Sequence, residues 1–414
     1  MKVLVVNAGS SSMKFQVFAM KKEVVLAKGL VERVGTDQPL LKYKRHDGVE
    51  RELIPEKNDH VGALKSICEC LVDPEIGVLK SLSEIESIGH RVVHGGERAT
   101  KPALVTDLVK EIIRDCFALA PLHNPANLAG IEACEKIFKD IPNVAVFDTA
   151  FHQSMPPESF LYALPYELYT KYAIRRYGFH GTSHNFVAKA AGTMLGMPFE
   201  RLKLITCHLG NGCSIAAIDH GMVIDTSMGM TPLEGLMMGT RSGDLDPAVV
   251  LRLLELGKTP EEIDRMLNKE SGLLGVAGIG SSDMRDIIAA EEKGDQQALR
   301  ARRMFTRRIV KYIGAYYALL EGADAIVFCG GVGEWSQYSR AKIIRKLNGM
   351  GIELDEKINM QCAGVKDIIS SRRSVCKVMV IPTDEELMIA RSVVSTLTIN
   401  NEAPLAATSD KKSK

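Results

Sequence analysis

At 414 residues, 46% hydrophobic and 25% charged, the chain has the composition of a soluble globular protein and exceeds what one core usually holds, so two domains are expected. With 52 basic against 51 acidic residues the net charge is +1, and no aromatic or glycine pattern accompanies the densest basic group, Arg300, Arg302, Arg303, Arg307 and Arg308, so nucleic acid is not an expected partner. Nine cysteines without paired C-x-x-C spacing exclude a structural zinc site and fit reduced thiols in the cytoplasm, and no apolar run reaches the roughly eighteen residues that a membrane span needs.

The first apolar run, Val3 to Val6, is too short for a signal peptide and predicts a strand that ends at Asn7-Ala-Gly-Ser-Ser-Ser-Met-Lys14, where glycine, three hydroxyls and a lysine lie together. Alternation over Lys42 to Ile54 around Asp47-Gly48 predicts a two-residue hairpin, so part of a sheet is antiparallel. Pro125 to Phe138 repeats apolar residues at three and four, as a helix does. The apolar run Val144 to Phe147 ends at Asp148, whose ordinary reading is a helix or turn cap. A second strand, Leu204 to Cys207, runs into His208-Leu209-Gly210-Asn211-Gly212-Cys-Ser214. Val3 to Val17 and Leu204 to Ile218 thus share one plan of strand, glycine turn and strand. Either turn alone could be an ordinary hairpin; two of them, one in each half, fit phosphate binding, because glycine lets backbone N–H groups approach phosphate oxygens. Farther on come a helical stretch from Ala298 to Leu320, a strand from Ala325 to Cys329 with a glycine turn Gly330-Gly331-Val332-Gly333-Glu334 behind it, and a strand from Val378 to Ile381. The polar residues 401–414 predict a frayed tail. Strands mixed with helices imply α/β layers.

No complete G-x-G-x-x-G and no Walker A pattern occurs, which disfavours a Rossmann dehydrogenase and a P-loop enzyme. The polar residues at predicted strand ends and loops are Arg91, His94, His123, Asp148, His180, Arg241 and the pair Glu385 and Glu386. Each alone has a structural explanation. As a set they match phosphoryl transfer, which needs cationic groups around the equatorial oxygens, a metal held by a carboxylate and little else.

The stretches Asn7–Phe15, Gly89–Gly96, Leu122–Pro125, Phe147–Pro156, Arg176–His184, Cys207–Gly212 and Gly239–Pro247, in this order and at compatible spacing, resemble the acetate kinase family over nearly the whole chain. The resemblance implies an α/β protein of two duplicated ribonuclease-H-like domains of the actin, hexokinase and Hsp70 type, with the active site in the interdomain cleft. It implies an N-terminal domain over 1–150 completed by a C-terminal helix at about 387–400, and a nucleotide-binding domain over 151–386. The activity implied is reversible ATP-dependent phosphorylation of acetate to acetyl phosphate, by direct in-line transfer to a carboxylate. A propionate or butyrate kinase, or a non-catalytic ATP-dependent regulator on the same fold, is the alternative.

By the same resemblance Arg91 and Arg241 hold the acid and the phosphoryl group, and His180 hydrogen-bonds the phosphoryl oxygens. Val93, Leu122, Phe179 and Pro232 form the methyl pocket. Lys14, the loop His208, Leu209, Gly210, Asn211 and Gly212, the segment Asp283, Met284 and Arg285, and the turn Gly331, Val332, Gly333, Glu334 and Trp335 contact ATP. Asn7 and Glu385 are the magnesium (Mg2+) residues, with manganese (Mn2+) as the alternative ion, and a cytoplasmic homodimer is implied. Asp148 matches the family's catalytic aspartate. The acceptor carboxylate is already ionised near neutral pH, so a general base contributes little, and Asp148 is expected to orient an arginine or a magnesium-bound water. Trp335 and Asp384 depart from the family pattern, where asparagine is usual at both; the second adds a negative charge close to the metal residues.

Overall fold

A computed structural model describes residues 1–406. The chain forms two units, Met1–Ala150 together with the segment from Asp384 onward, and Phe151–Thr383, each built on one mixed sheet.

In the first unit β1 (Lys2–Ala8) pairs antiparallel with β2 (Ser12–Ala19), which pairs antiparallel with β3 (Val24–Glu32), followed by β4 (Leu40–Arg45) and β5 (Glu50–Leu53). On its other edge β1 runs parallel to β6 (Ser87–Val92), with β7 (Ala103–Leu104) antiparallel to β8 (Asn143–Phe147), and β8 parallel to β6. The run Val3 to Val6 is a central strand apolar on both faces because both faces are covered. Leu4, Val6 and Ala8 join a core with Ile67 and Leu71 of the helix His60–Val72 and Cys134 of the helix Asn124–Ile137. Val3 and Val5 point the other way, against Ile389 and Val393 of the helix Glu385–Ala406.

In the second unit β9 (Lys203–Leu209) pairs antiparallel with β10 (Cys213–Asp219), and β10 with β11 (Met222–Thr226). The other edge of β9 is parallel to β12 (Ala325–Cys329); beyond lie β13 (Asp367–Ile368), at the edge, and β14 (Lys377–Val380), parallel to β12. Leu204, Ala216, Ile218 and Val327 bury against Val187, Ala188 and Ala191 of the helix Gly181–Leu195. The orders β3-β2-β1-β6-β8 and β11-β10-β9-β12-β14 have the same directions throughout. The paired segments noticed in the sequence are therefore β1–β2 and β9–β10, the same hairpin at the centre of two equivalent sheets.

Three expectations change. The boundary near 386 moves to Asp384, because the last helix starts there: Leu387 N–H donates to Asp384 Oδ1 (2.9 Å), and Glu386 pairs with Lys14 of β2 (2.5 Å). That helix extends from Glu385 to Ala406, past the expected 387–400, so the expected tail over 401–414 begins helical, and 407–414 lie outside the described residues. The glycine turn after β12 is a short helix, Gly330–Trp335, entered through Gly330 at φ 73°.

Candidate active site

In the first unit the ends of β6 and β8 set the geometry. Arg91 lies opposite Val146 in the parallel ladder, and Asp148 follows β8 with its N–H donating to Val92 O (2.9 Å). Arg91 donates to Asp148 Oδ2 from Nε (3.0 Å) and Nη2 (2.6 Å), and Asp148 is only 1% exposed. Asp148 therefore grips an arginine. Glu385 stands 3.9 Å from the same guanidinium. Burial opposes the charge on Arg91, but Asp148 and Glu385 more than offset it and hold Arg91 above the ordinary arginine range. Burial pushes the Glu385 carboxyl up to about 7 against the pull of Arg91, with Asp148 and Glu386 adding repulsion.

Asn7, near the end of β1, lies across from Lys14 of β2. A carboxylate and an amide oxygen are hard donors of the kind magnesium takes, and a crowded carboxyl held near neutrality is one whose charge a divalent cation would favour. Among the described residues no group of three or more His, Cys, Asp or Glu forms a complete cage. A magnesium ion that keeps waters and phosphates needs none, so the donor set fits.

In the second unit His180 precedes the helix Gly181–Leu195 in the left-handed region, at φ 58°, a conformation a non-glycine residue keeps only when its surroundings demand it. Its ring stacks on His208 at 4.2 Å between centroids, and its Nδ1 lies 2.9 Å from Ser214 Oγ. The β9–β10 register puts Ser214 directly opposite His208. One turn into the helix, His184 reaches the same Ser214 Oγ with Nε2 (2.7 Å) and Thr206 Oγ1 of β9 with Nδ1 (2.7 Å). Burial drives His184 well below the ordinary histidine range, and His152 and His208 push it further, so its ring is neutral.

The turn between β9 and β10 closes this group. A side chain at Gly212 would stand 3.4 Å from Arg241 Nη1 and 3.4 Å from His180 Cε1, with His180 Nε2 at 3.5 Å, so the guanidinium and the imidazole converge on bare backbone. Arg241 donates to Pro232 O (3.2 Å), and no carboxylate pairs with it among the described residues. Burial lowers its pKa, as for a cation short of an anion. Gly239 N–H donates to Asn211 O (2.9 Å), and a Cβ at Gly239 would meet Asn211 Oδ1 at 1.8 Å, so the glycine leaves the Asn211 side chain where it is between the two loops.

The other expected residues divide between the units. Val93 is buried, its N–H donating to Asn127 Oδ1 (3.0 Å), and Leu122 is 58% exposed, both in the first unit; Phe179, buried, and Pro232, half-buried, are in the second. Asp283 caps the helix Met284–Glu292 through Arg285 N–H (2.8 Å) and pairs with the exposed Arg285 side chain, so its carboxylate has a structural use, while Met284 is buried. Glu334 Oε1 accepts from the N–H groups of Gly330 (2.7 Å) and Thr383 (3.0 Å), which turns its side chain inward. Gly331, Val332 and Gly333 form the helix before Trp335, whose indole is 62% exposed and packs against Gly364. Asp384 is an ordinary N-cap, a role asparagine fills equally well.

Thr206, His184 and Ser214 are not singled out by sequence reasoning. The signals were present: His180 and His184 are four apart at a helix start, and Thr206 and His208 share one face of a strand.

The family model of the acetokinase family matches residues 2–391. The acetate kinase of Methanosarcina acetivorans is 53% identical over 392 residues, covering 94% of this chain and 96% of the relative. Among solved structures, the acetate kinase of Porphyromonas gingivalis superposes with a TM-score of 0.92 at 46% identity, covering 96% of this chain and 99% of that one. A propionate kinase from Francisella tularensis superposes with a TM-score of 0.88 at 42% identity, covering 94% and 98%.

Proposed function

The chain belongs to the acetokinase family, and on that premise we propose that it transfers the terminal phosphoryl group of ATP directly to the carboxylate of acetate, giving acetyl phosphate and ADP, and that it also runs in reverse. The observation that carries this reading is the convergence of Arg241 Nη1 and the His180 ring over Gly212, with no carboxylate on Arg241 among the described residues. A guanidinium that lacks an internal anion is a receptor for an external one, and its forked donors match a phosphoryl or carboxylate group.

Arg91 supplies the second guanidinium, held in place by Asp148. The acceptor carboxylate has no proton to lose, so Asp148 acts by orienting Arg91 and not as a base. His180 donates a hydrogen bond to an equatorial oxygen as charge builds there. Asn7 and Glu385 would hold magnesium, or manganese in its place, which when bound would supply neutralising charge at the phosphates. Lys14, His208 to Gly212, Asp283 to Arg285 and Gly331 to Trp335 bind ATP; for Asp283 and Glu334 the backbone does so, since their carboxylates are used internally. Val93, Leu122, Phe179 and Pro232 shape the methyl pocket. The protein works as a cytoplasmic homodimer; among the described residues no helix is long and apolar enough to cross a membrane.

The test is initial-rate measurement with ATP, magnesium and acetate, propionate or butyrate in turn, acyl phosphate being trapped with hydroxylamine. Acetate gives the highest kcat/KM, with propionate behind it by a margin of roughly 1–3 kcal/mol for the added methylene. ATP binding without acyl phosphate from any of the three acids rejects the assignment.

A further inference from the structure

We infer that Thr206, His184 and Ser214 form a directed hydrogen-bond relay that holds His180 in the tautomer with its proton on Nε2, the nitrogen that lies beside Arg241 at Gly212. The inference deepens the proposed phosphoryl transfer and rests on His180 as a donor to the phosphoryl oxygens.

The relay follows from counting protons. Ser214 Oγ has one proton and two imidazole nitrogens within reach, His180 Nδ1 at 2.9 Å and His184 Nε2 at 2.7 Å; accepting from both would strand its own fully buried proton, so it donates to one and accepts from the other. His184 is fully buried and neutral, so one of its nitrogens donates and the other accepts. Only two arrangements remain. In one, Thr206 O–H donates to His184 Nδ1, His184 Nε2–H donates to Ser214, and Ser214 O–H donates to His180 Nδ1. In the other every bond is reversed, and the Thr206 hydroxyl proton is left without an acceptor in a fully buried strand, since His184 is its hydrogen-bond partner. A buried donor without an acceptor is costly, so the first arrangement prevails.

The consequence reaches the reacting group. With Nδ1 committed as an acceptor, the single proton of His180 sits on Nε2, on the ring edge that faces Gly212 near Arg241 Nη1. A second proton on Nδ1 would require the whole relay to reverse, and it would place a charge on a ring stacked 4.2 Å from His208. His180 therefore meets a developing phosphoryl charge as a pre-aligned neutral donor, and no proton changes hands. Thr206, His184 and Ser214 are positioning residues.

The experiment combines tautomer and rate. In two-bond proton–nitrogen spectra of full-length protein labelled with 15N-histidine, His180 of the wild type carries its proton on Nε2. Ser214→Ala shifts it toward the Nδ1–H form and lowers kcat roughly tenfold to hundredfold, the loss usual for an outer hydrogen-bond partner, while KM for acetate and ATP stays near wild type. Thr206→Val, nearly isosteric, moves both readouts the same way to a smaller extent, and Thr206→Ser rescues them; this pair decides the matter if Ser214→Ala does not fold. A wild-type His180 protonated on Nδ1, or a tautomer and kcat unmoved by Ser214→Ala and Thr206→Val, overturns the relay. Failure of the wild type to form acyl phosphate would instead reject the proposed function and leave the tautomer measurement standing.

Discussion

Arg91 and Arg241 bring the same guanidinium into opposite settings. Arg91 is bound to Asp148 by two hydrogen bonds to one oxygen and flanked by Glu385, whereas Arg241 is partly buried with a backbone carbonyl and a thioether as its partners. A buried charge whose partner is removed is strongly destabilising, and one that never had a partner costs stability while it stays. Arg241→Met is therefore expected to leave Tm unchanged or raised while kcat/KM falls by roughly three orders of magnitude, the scale of an arginine that neutralises phosphoryl charge. Arg91→Met should lower activity and Tm together, because it strands Asp148. Thermal unfolding measured beside hydroxamate rates separates the two, and an Arg241→Met protein that is destabilised yet active would remove Arg241 from the chemistry. Both arginines were legible as candidates from their motifs. The difference between them was not, since Asp148 lies 57 positions from Arg91 and no local pattern marks such a pair. Sequence separation also hid Thr206 and Ser214, 22 and 30 positions from His184, which become its partners only when β9, β10 and the helix Gly181–Leu195 pack together.

Elements were legible where local chemistry and burial agree. The strand over Ala325 to Cys329 and an antiparallel hairpin around Asp47-Gly48 follow from apolar runs and turn residues, but the loop has three residues, His46 to Gly48, and not the expected two: Arg45 N–H donates to Val49 O (2.8 Å), and Gly48 takes the left-handed position at φ 94°. The short helix Gly330–Trp335 was not legible, because three glycines argue for a turn; a side chain from outside it, the fully buried Arg340, donates to the carbonyls of Gly333 (2.7 Å) and Glu334 (2.9 Å) and holds the segment in place. Strand β6 has its own electrostatic consequence. Burial lowers His90, bonded through Nε2 to Asn143 Oδ1 (2.7 Å), to about 4, and His94 just beyond the strand to about 4 as well. Both fold neutral. In the unfolded chain each titrates near the ordinary 6.5, so the unfolded state binds more protons between pH 6.5 and 4. Their contribution to stability is complete above that window and declines through it by up to about 1.4 kcal/mol per pH unit for each histidine. Urea unfolding at pH 7.0 and at about pH 5 should show the loss, and His90→Gln should reduce the difference between the two pH values. An equal difference in His90→Gln would mean that β6 is not the acid-sensitive element.

At the scale of the whole molecule, apolar surface that a single chain leaves in water points to a partner. The helix Ala248–Glu255 has no buried residue, and over it and the following position Val249, Leu251, Leu254 and Leu256 are exposed, at 45%, 62%, 40% and 63%. The pair Arg252–Glu255 (2.9 Å) adds charge among them, and apolar side chains rimmed by polar ones are the usual make-up of a subunit interface. The proposed homodimer places a second copy of this chain on that face. Covering such side chains is worth about 25 cal/mol per Å2 before the cost of association, so the contact needs neighbouring surface as well, and removing its apolar centre should tip the balance. Sedimentation velocity at micromolar protein is expected to give twice the mass of one chain for the wild type and the mass of a single chain for Leu251→Glu combined with Leu254→Glu, with the circular dichroism spectrum unchanged. Because every catalytic and binding residue proposed above lies outside this helix, the dissociated variant also reveals whether one chain turns over by itself. A wild type that sediments as a single chain rejects the dimer, and a doubly charged variant that stays dimeric moves the interface to another face.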